Sequence, residues 1–170
     1  MKLNYIILMM ALGVPALQPF EVFAANSALT AFPSTSLPDV DGRAHNFNEW
    51  GGKIRVVNFW ATWCAPCRNE IPLLSAISRE WHAKDVEVIG VAIDGSDDVR
   101  AFINEAKIAY PVLLAEQQGQ GLMQSGGNAM GALPFTLLLD RRGNIIQRHA
   151  GVLDARLLKQ WLAEATAKPK

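Results

Sequence analysis

The sequence predicts an α/β fold in which a mixed central β-sheet is flanked by helices on both sides. Three observations carry that reading. Two β-rich apolar runs, Ile54–Trp60 and Val86–Ile93, are each followed by a helical pattern. Two later runs, Phe135–Leu139 and Asn144–His149, flank Asp140-Arg141-Arg142-Gly143, a hairpin signal. A last amphipathic pattern then closes the chain. Strand–helix–strand alternation followed by a hairpin and a helix gives a sheet with parallel and antiparallel parts. The 170 residues allow one domain. Half of them are hydrophobic and 19% charged, which excludes a disordered polyelectrolyte. The formal net charge of +0 gives no support to nucleic-acid binding, which usually needs a basic patch.

Taken in order, the first 24 residues read as a leader. Lys2 supplies a positive start, Tyr5 to Leu17 is almost unbroken apolar sequence, and Val22-Phe23-Ala24 ends in a small residue. This is the layout of a secretory signal peptide cleaved after Ala24. The alternative is an uncleaved N-terminal anchor. The run falls short of the roughly 20 residues that span hydrocarbon, and Pro15 and Pro19 weaken a spanning helix. The expected location is therefore periplasmic or otherwise exported, with membrane anchoring through residues 1–24 as the alternative. Residues 25–33 read as a flexible lead-in, 34–165 as the folded domain and 166–170 as a loose tail.

Ile54–Trp60 has the composition of a strand buried on both faces. A helical pattern runs from Pro66 to His82, with Ile71, Leu74, Ile77, Ser78 and Trp81 near a 3.6-residue period. Pro66 suits a first helical turn. Pro72 removes a bond to the carbonyl of Arg68 and is expected to kink the helix. Val86–Ile93 reads as a second buried strand, ended by Asp94-Gly95. Ser96 is the expected N-cap of a helix bearing Val99, Phe102, Ile103 and Ala106. Tyr110–Leu114 reads as a short strand. Gln117–Asn128, rich in Gly, Gln and Ser, reads as a loop, either a surface connection or a flexible substrate-facing one. Asp154 is the expected cap of the last helix.

The chemistry concentrates in Cys64-Ala65-Pro66-Cys67, which holds both cysteines of the chain. An exported thiol meets an oxidising compartment. A bridge between these two would close almost no loop and so stabilise little. A zinc site needs about four ligands. No second cysteine pair exists, and His45, His82 and His149 are scattered. Redox chemistry is the reading that remains. The pair sits at a strand-to-helix junction, where unpaired N–H groups and the helix dipole favour a thiolate. Cys64, ahead of the helix, is the expected nucleophile. Cys67, one turn inside, is the expected buried resolving thiol.

Phe59-Trp60-Ala61-Thr62-Trp63-Cys64-Ala65-Pro66-Cys67-Arg68, with Glu70 and Pro72, resembles the active-site segment of thioredoxin-fold proteins, closest to the exported TlpA/ResA/DsbE branch. Gly131-Ala132-Leu133-Pro134-Phe135-Thr136-Leu137-Leu138-Leu139-Asp140 resembles that family's cis-proline strand. Leu37-Pro38-Asp39 through Gly52-Lys53 resembles its N-terminal hairpin and lead-in. The resemblance implies a thioredoxin-like three-layer fold with an N-terminal β-hairpin extension and a βα insertion. It implies an exported thiol:disulfide oxidoreductase, most simply a reductase cycling through a Cys64–Cys67 disulfide without metal or organic cofactor. Glu70 would be the proton acceptor or pKa tuner of Cys67, since Asn58 occupies the strand position where thioredoxin has an acid. Trp63, Leu133 and Pro134 would bind substrate. The implied partners are disulfide-containing exported proteins, among them apocytochrome c or copper-centre assembly factors, and a membrane electron donor of the DsbD or CcdA kind. The DsbE branch carries an acidic residue just after the cis-proline, where this chain has Phe135. The alternatives are a disulfide-donating oxidase, a copper or zinc carrier using the two thiolates, and a peroxidase acting through Cys64.

Overall fold

A computed structural model describes residues 32–167. The leader at 1–24, most of the lead-in and residues 168–170 lie outside the described residues. Among the described residues, no helix is long and apolar enough to cross a membrane.

The main sheet is built around the first apolar run. β3 (Ile54–Trp60) lies in its middle and every residue of it is buried. β4 (Val86–Ala92) pairs with it in parallel, and β5 (Val112–Leu114) continues in parallel on β4. β6 (Phe135–Leu139) pairs antiparallel on the other side of β3, and β7 (Ile145–Ala150) closes that edge. The spatial order is β5-β4-β3-β6-β7, a mixed sheet. A second, two-stranded sheet pairs β1 (Ser36–Pro38) with β2 (Ala44–Asn46), the N-terminal hairpin. Between β4 and β6 the chain runs through α2 (Ser96–Ala106), β5 and α3 (Gly119–Ser125).

Alternation along β3 explains the layering. Ile54, Val56 and Trp60 enter one buried cluster with Ile71 and Leu74 of α1 (Ala65–Trp81), Val99 of α2, and Leu158 and Leu162 of α4 (Ala155–Ala167). Val57 and Phe59 enter a second cluster with Leu122 and Met123 of α3 and with Phe32 and Phe47. A strand buried on both faces cannot alternate polar and apolar residues, hence the continuous run. Its two polar residues are both partnered. Arg55 donates from Nη1 to the Phe47 carbonyl at 2.9 Å and from Nη2 to the Asp140 carbonyl at 3.0 Å. Asn58 donates to Thr136 Oγ1 at 3.0 Å, directly across the β3–β6 ladder.

Several local expectations change. Ser96 is the first helical residue of α2, and Gly95, with extended backbone, is its N-cap. The shift of one residue leaves the Ser96 hydroxyl off the cap, while Asp94 bonds the Gly95 N–H. Tyr110 precedes β5 instead of opening it. Gln117–Asn128 is not a plain loop, because burial of Leu122 and Met123 folds its middle into α3. Phe32, assigned to the lead-in, is buried, edge-on to Phe47, and its N–H meets the Gly143 carbonyl at 2.9 Å. Helix α1 runs on through Pro72. Asp154 Oδ1 accepts from the Arg156 N–H at 2.6 Å, the expected capping contact of α4.

The hairpin carries a charged staple. His45 Nδ1 lies 2.9 Å from Glu49 Oε2 and its Nε2 lies 3.1 Å from Asp39 Oδ2. Carboxylates only accept, so the two contacts are both satisfied when both ring nitrogens donate, which favours the imidazolium. The Glu49 hydrogen bond is the main cause holding its pKa above the ordinary 6.5, against partial desolvation and with help from Asp39. A raised folded pKa means this contribution is full below the unfolded value and is lost as pH rises through the folded one. The expected outcome is a His45 ring titration by NMR above 6.5, with β1–β2 amides exchanging faster past that midpoint. A midpoint at or below 6.5 contradicts the staple.

Candidate active site

The site begins where β3 ends. Trp60 is locked into the sheet, and the chain turns at once, with the Cys64 N–H meeting the Ala61 carbonyl at 3.2 Å. Cys64 is the N-cap of α1, with extended backbone, and its sulfur accepts from the Cys67 N–H at 3.3 Å. An N-cap sulfur occupies the position where a capping oxygen satisfies an orphan amide. Pro66 falls in the first helical turn, where no N–H is needed. The two cysteines are joined by a disulfide, with Cα atoms 5.3 Å apart. Cys64 is 6% exposed and Cys67 1%, so the outer sulfur is the more accessible one.

Glu70 lies one turn beyond Cys67 on the same helix, and both are buried. Its Oε1 accepts from the Leu153 N–H at 3.3 Å, just ahead of α4, while Oε2 has no protein partner. Burial pushes its carboxyl up to about 7, with the Leu153 hydrogen bond pulling weakly the other way. Trp60 Nε1 and Tyr110 Oη are among the other buried polar atoms without a partner, and both residues belong to the cluster that holds the cysteines. Burial first, and the Glu70 charge second, push the Tyr110 phenol up. Gly90 lets these rings approach, since a Cβ there would lie 2.9 Å from Trp60 Nε1 and 3.1 Å from the Tyr110 ring.

The Leu133–Pro134 peptide bond is cis. Leu133 is half-buried against the cluster that holds both cysteines, and the Pro134 carbonyl accepts from the Gly151 N–H at 2.8 Å. The short segment Gly151–Leu153 therefore touches Pro134 at one end and Glu70 at the other. Trp63 is 69% exposed beside Cys64. The buried Asn128 closes the loop ahead of Leu133, donating to the Ala132 carbonyl and accepting from the Ala132 N–H. Arg68 reaches α2, 5.1 Å over the Phe102 ring and 3.8 Å from Glu105.

Sequence reasoning missed Tyr110 and Asn128 at the site, and also the pairing of Thr62 with Asp94. Asp94 Oδ2 accepts from both the N–H and the hydroxyl of Thr62. The acid at the carboxyl end of a parallel strand was the available signal, since such ends face the sites of open α/β sheets. Among the described residues, no group of three His, Cys, Asp or Glu is placed to hold a metal ion.

The family model described as Redoxin matches residues 27–162. The chain is 29% identical over 135 residues to the thiol-disulfide oxidoreductase ResA of Bacillus thuringiensis (strain Al Hakam), covering 79% of this chain and 76% of that protein. It is 31% identical over 134 residues to the thioredoxin-like protein YneN of Bacillus subtilis (strain 168), covering 76% and 75%. The crystal structure of a thiol:disulfide interchange protein of the thioredoxin family from Chlorobium tepidum TLS superposes with a TM-score of 0.72 at 28% identity. That match covers 84% of this chain and 99% of the other.

Glu70 supplies a pH test. Its folded pKa of about 7 stands above the ordinary 4.5. Folding therefore binds a proton in that window, and its contribution to stability falls as pH rises from about 4.5 to about 7. Glu70→Gln is expected to match the parent in urea denaturation near pH 4 and to exceed it by about 2–3 kcal/mol at pH 8.5. An equal difference at both pH values contradicts this assignment.

Proposed function

The chain belongs to the Redoxin family, and on that footing we propose that it reduces disulfides of exported proteins through the Cys64–Cys67 pair. It is a thiol–disulfide oxidoreductase with a thioredoxin-like fold. The observation that supports the reading best is the dithiol's placement. Its outer sulfur caps α1, and a buried carboxyl near neutral pKa lies one turn below its inner sulfur.

In the reduced protein, the Cys64 thiolate receives the Cys67 N–H and the positive end of α1. It attacks one sulfur of a substrate disulfide and expels the other as a thiolate. Trp63, Leu133 and Pro134 hold the substrate segment beside Cys64, with the Leu133 backbone pairing to it as a strand. Cys67 passes its proton to Glu70 and attacks Cys64 Sγ. The reduced substrate leaves, and the protein is left as the disulfide. Two electrons have moved from the dithiol to the substrate. Glu70 suits the proton step because a carboxyl near 7 can both take and return a proton at working pH.

Return to the dithiol requires an electron source. In an exported chain that role falls to a membrane donor of the DsbD or CcdA kind. Export through residues 1–24 belongs to the same reading. Phe135, 2% exposed and 5.8 Å from the Phe59 ring, occupies the position where the DsbE branch carries an acid. That favours disulfide-bonded exported proteins in general over apocytochrome c alone. Copper-centre assembly factors fall within the general class.

The test uses the two cysteine variants with a protein disulfide such as insulin. Cys64→Ser is expected to abolish turnover. Cys67→Ser is expected to accumulate a mixed disulfide at Cys64, visible on a non-reducing gel. Normal turnover by both variants would sink the proposal.

A further inference from the structure

We propose that Asp94 is a positioning residue for the dithiol, acting through Thr62 to hold the turn that delivers Cys64 to the start of α1. Its Oδ2 accepts from the Thr62 N–H at 3.1 Å and from the Thr62 hydroxyl. Its Oδ1 accepts from the Gly95 N–H at 3.0 Å. One carboxylate thus joins the end of β4 and the cap of α2 to the loop two residues before Cys64. All three donors belong to residues that are neither buried nor fully exposed.

The turn needs such an anchor. Only three residues, Ala61, Thr62 and Trp63, separate the last residue of β3 from Cys64. The backbone bond from Cys64 to Ala61 is long, at 3.2 Å. Trp63 is largely exposed and contributes little packing. Ala61 is packed into the core, so Thr62 is where polar contacts fix the loop, and its N–H and hydroxyl both go to Asp94. The first turn of α1 is tied to α2 a second time, through Arg68 over Phe102. With the loop held, Cys64 Sγ stays in line with the Cys67 N–H, and that alignment favours the thiolate. The hydrogen bonds of Asp94 reach the dithiol through Thr62.

A carboxylate near a thiol also acts by charge, and the two effects have opposite signs. Loss of a negative charge alone favours the thiolate. Loss of the anchor disfavours it. The sign of the change separates them.

The inference rests on Cys64 being the attacking sulfur. The experiment takes the full reduced chain and follows iodoacetamide alkylation against pH, with the modified cysteine identified by mass spectrometry. Wild type is expected to react first at Cys64, with a midpoint below the roughly 8.5 of a free thiol. Asp94→Ala and Thr62→Val are each expected to raise the midpoint and slow alkylation at pH 6 by about threefold or more. The double variant is expected to do no worse than Asp94→Ala, because the hydroxyl contact that Thr62→Val removes is already lost there. Thr62→Ser, which keeps the hydroxyl, is expected to stay near wild type, and Asp94→Asn, which keeps an acceptor but loses the charge, is expected at or below the wild-type midpoint. These two also guard against a folding defect in the harsher variants. An unchanged or lowered midpoint in Asp94→Ala and Thr62→Val overturns the positioning role while leaving the nucleophile assignment intact. First alkylation at Cys67 in wild type overturns the nucleophile assignment and this inference with it.

Discussion

The structure depends on where β3 stops. A strand buried on both faces in the middle of the sheet cannot shift without dragging both cores with it. Its end is therefore a firmly held point from which to launch a loop. Trp60 is fully buried there, and four residues later Cys64 caps α1. The sulfur takes the place of a capping oxygen and receives an amide that would otherwise be unsatisfied. Fold and reactivity share this one constraint. The same backbone geometry that starts the helix places the Cys67 N–H and the positive end of α1 at the Cys64 sulfur.

The second feature follows from the first. Helix α1 must bury one face against the sheet, and the positions one and two turns after the cap lie on that face. Cys67 and Glu70 occupy them. A buried Cys67 is ordinary, since a thiol behaves as a small apolar group. A buried Glu70 is not, and burial shifts its carboxyl toward neutrality. Leu153 partners only one of its oxygens. A carboxyl with one free oxygen, near neutral pKa and beside an inner thiol, suits proton exchange and is a poor choice for stability. Asn58 donates to Thr136 and, as an amide, takes no part in proton exchange at working pH.

Much of this was legible in the residues. β3, β4, β6 and α1 follow from continuous apolar runs and a 3.6-residue period, and β7 from the hairpin signal that precedes it. The dithiol's redox character follows from its spacing and from the lack of other ligands. The family resemblance singles out Glu70, and its position three residues after Cys67 puts both on one helix face. What escaped is governed by contacts distant in sequence. The middle of Gln117–Asn128 forms a helix because Leu122 and Met123 find a core supplied by β3, β4 and β6. Phe32 is fixed by Phe47 and by the Gly143 carbonyl, more than a hundred residues away along the chain in the latter case. Ser96 looked like a cap because local pattern favours Ser there. Asp94 is held by the neighbouring strand's loop, and that tertiary bond sets the register of the helix start. Tyr110 reads as a strand aromatic, and only the fold brings it within the electrostatic reach of Glu70.

The central claim is that this dithiol gives electrons to exported proteins instead of withdrawing them. The most direct measurement is the equilibrium reduction potential of the Cys64–Cys67 pair, read against glutathione and dithiothreitol buffers. The expected value lies near the roughly −270 mV of thioredoxin. A value near the roughly −120 mV of a strong disulfide donor would contradict it, because the reduced form would then be the stable one.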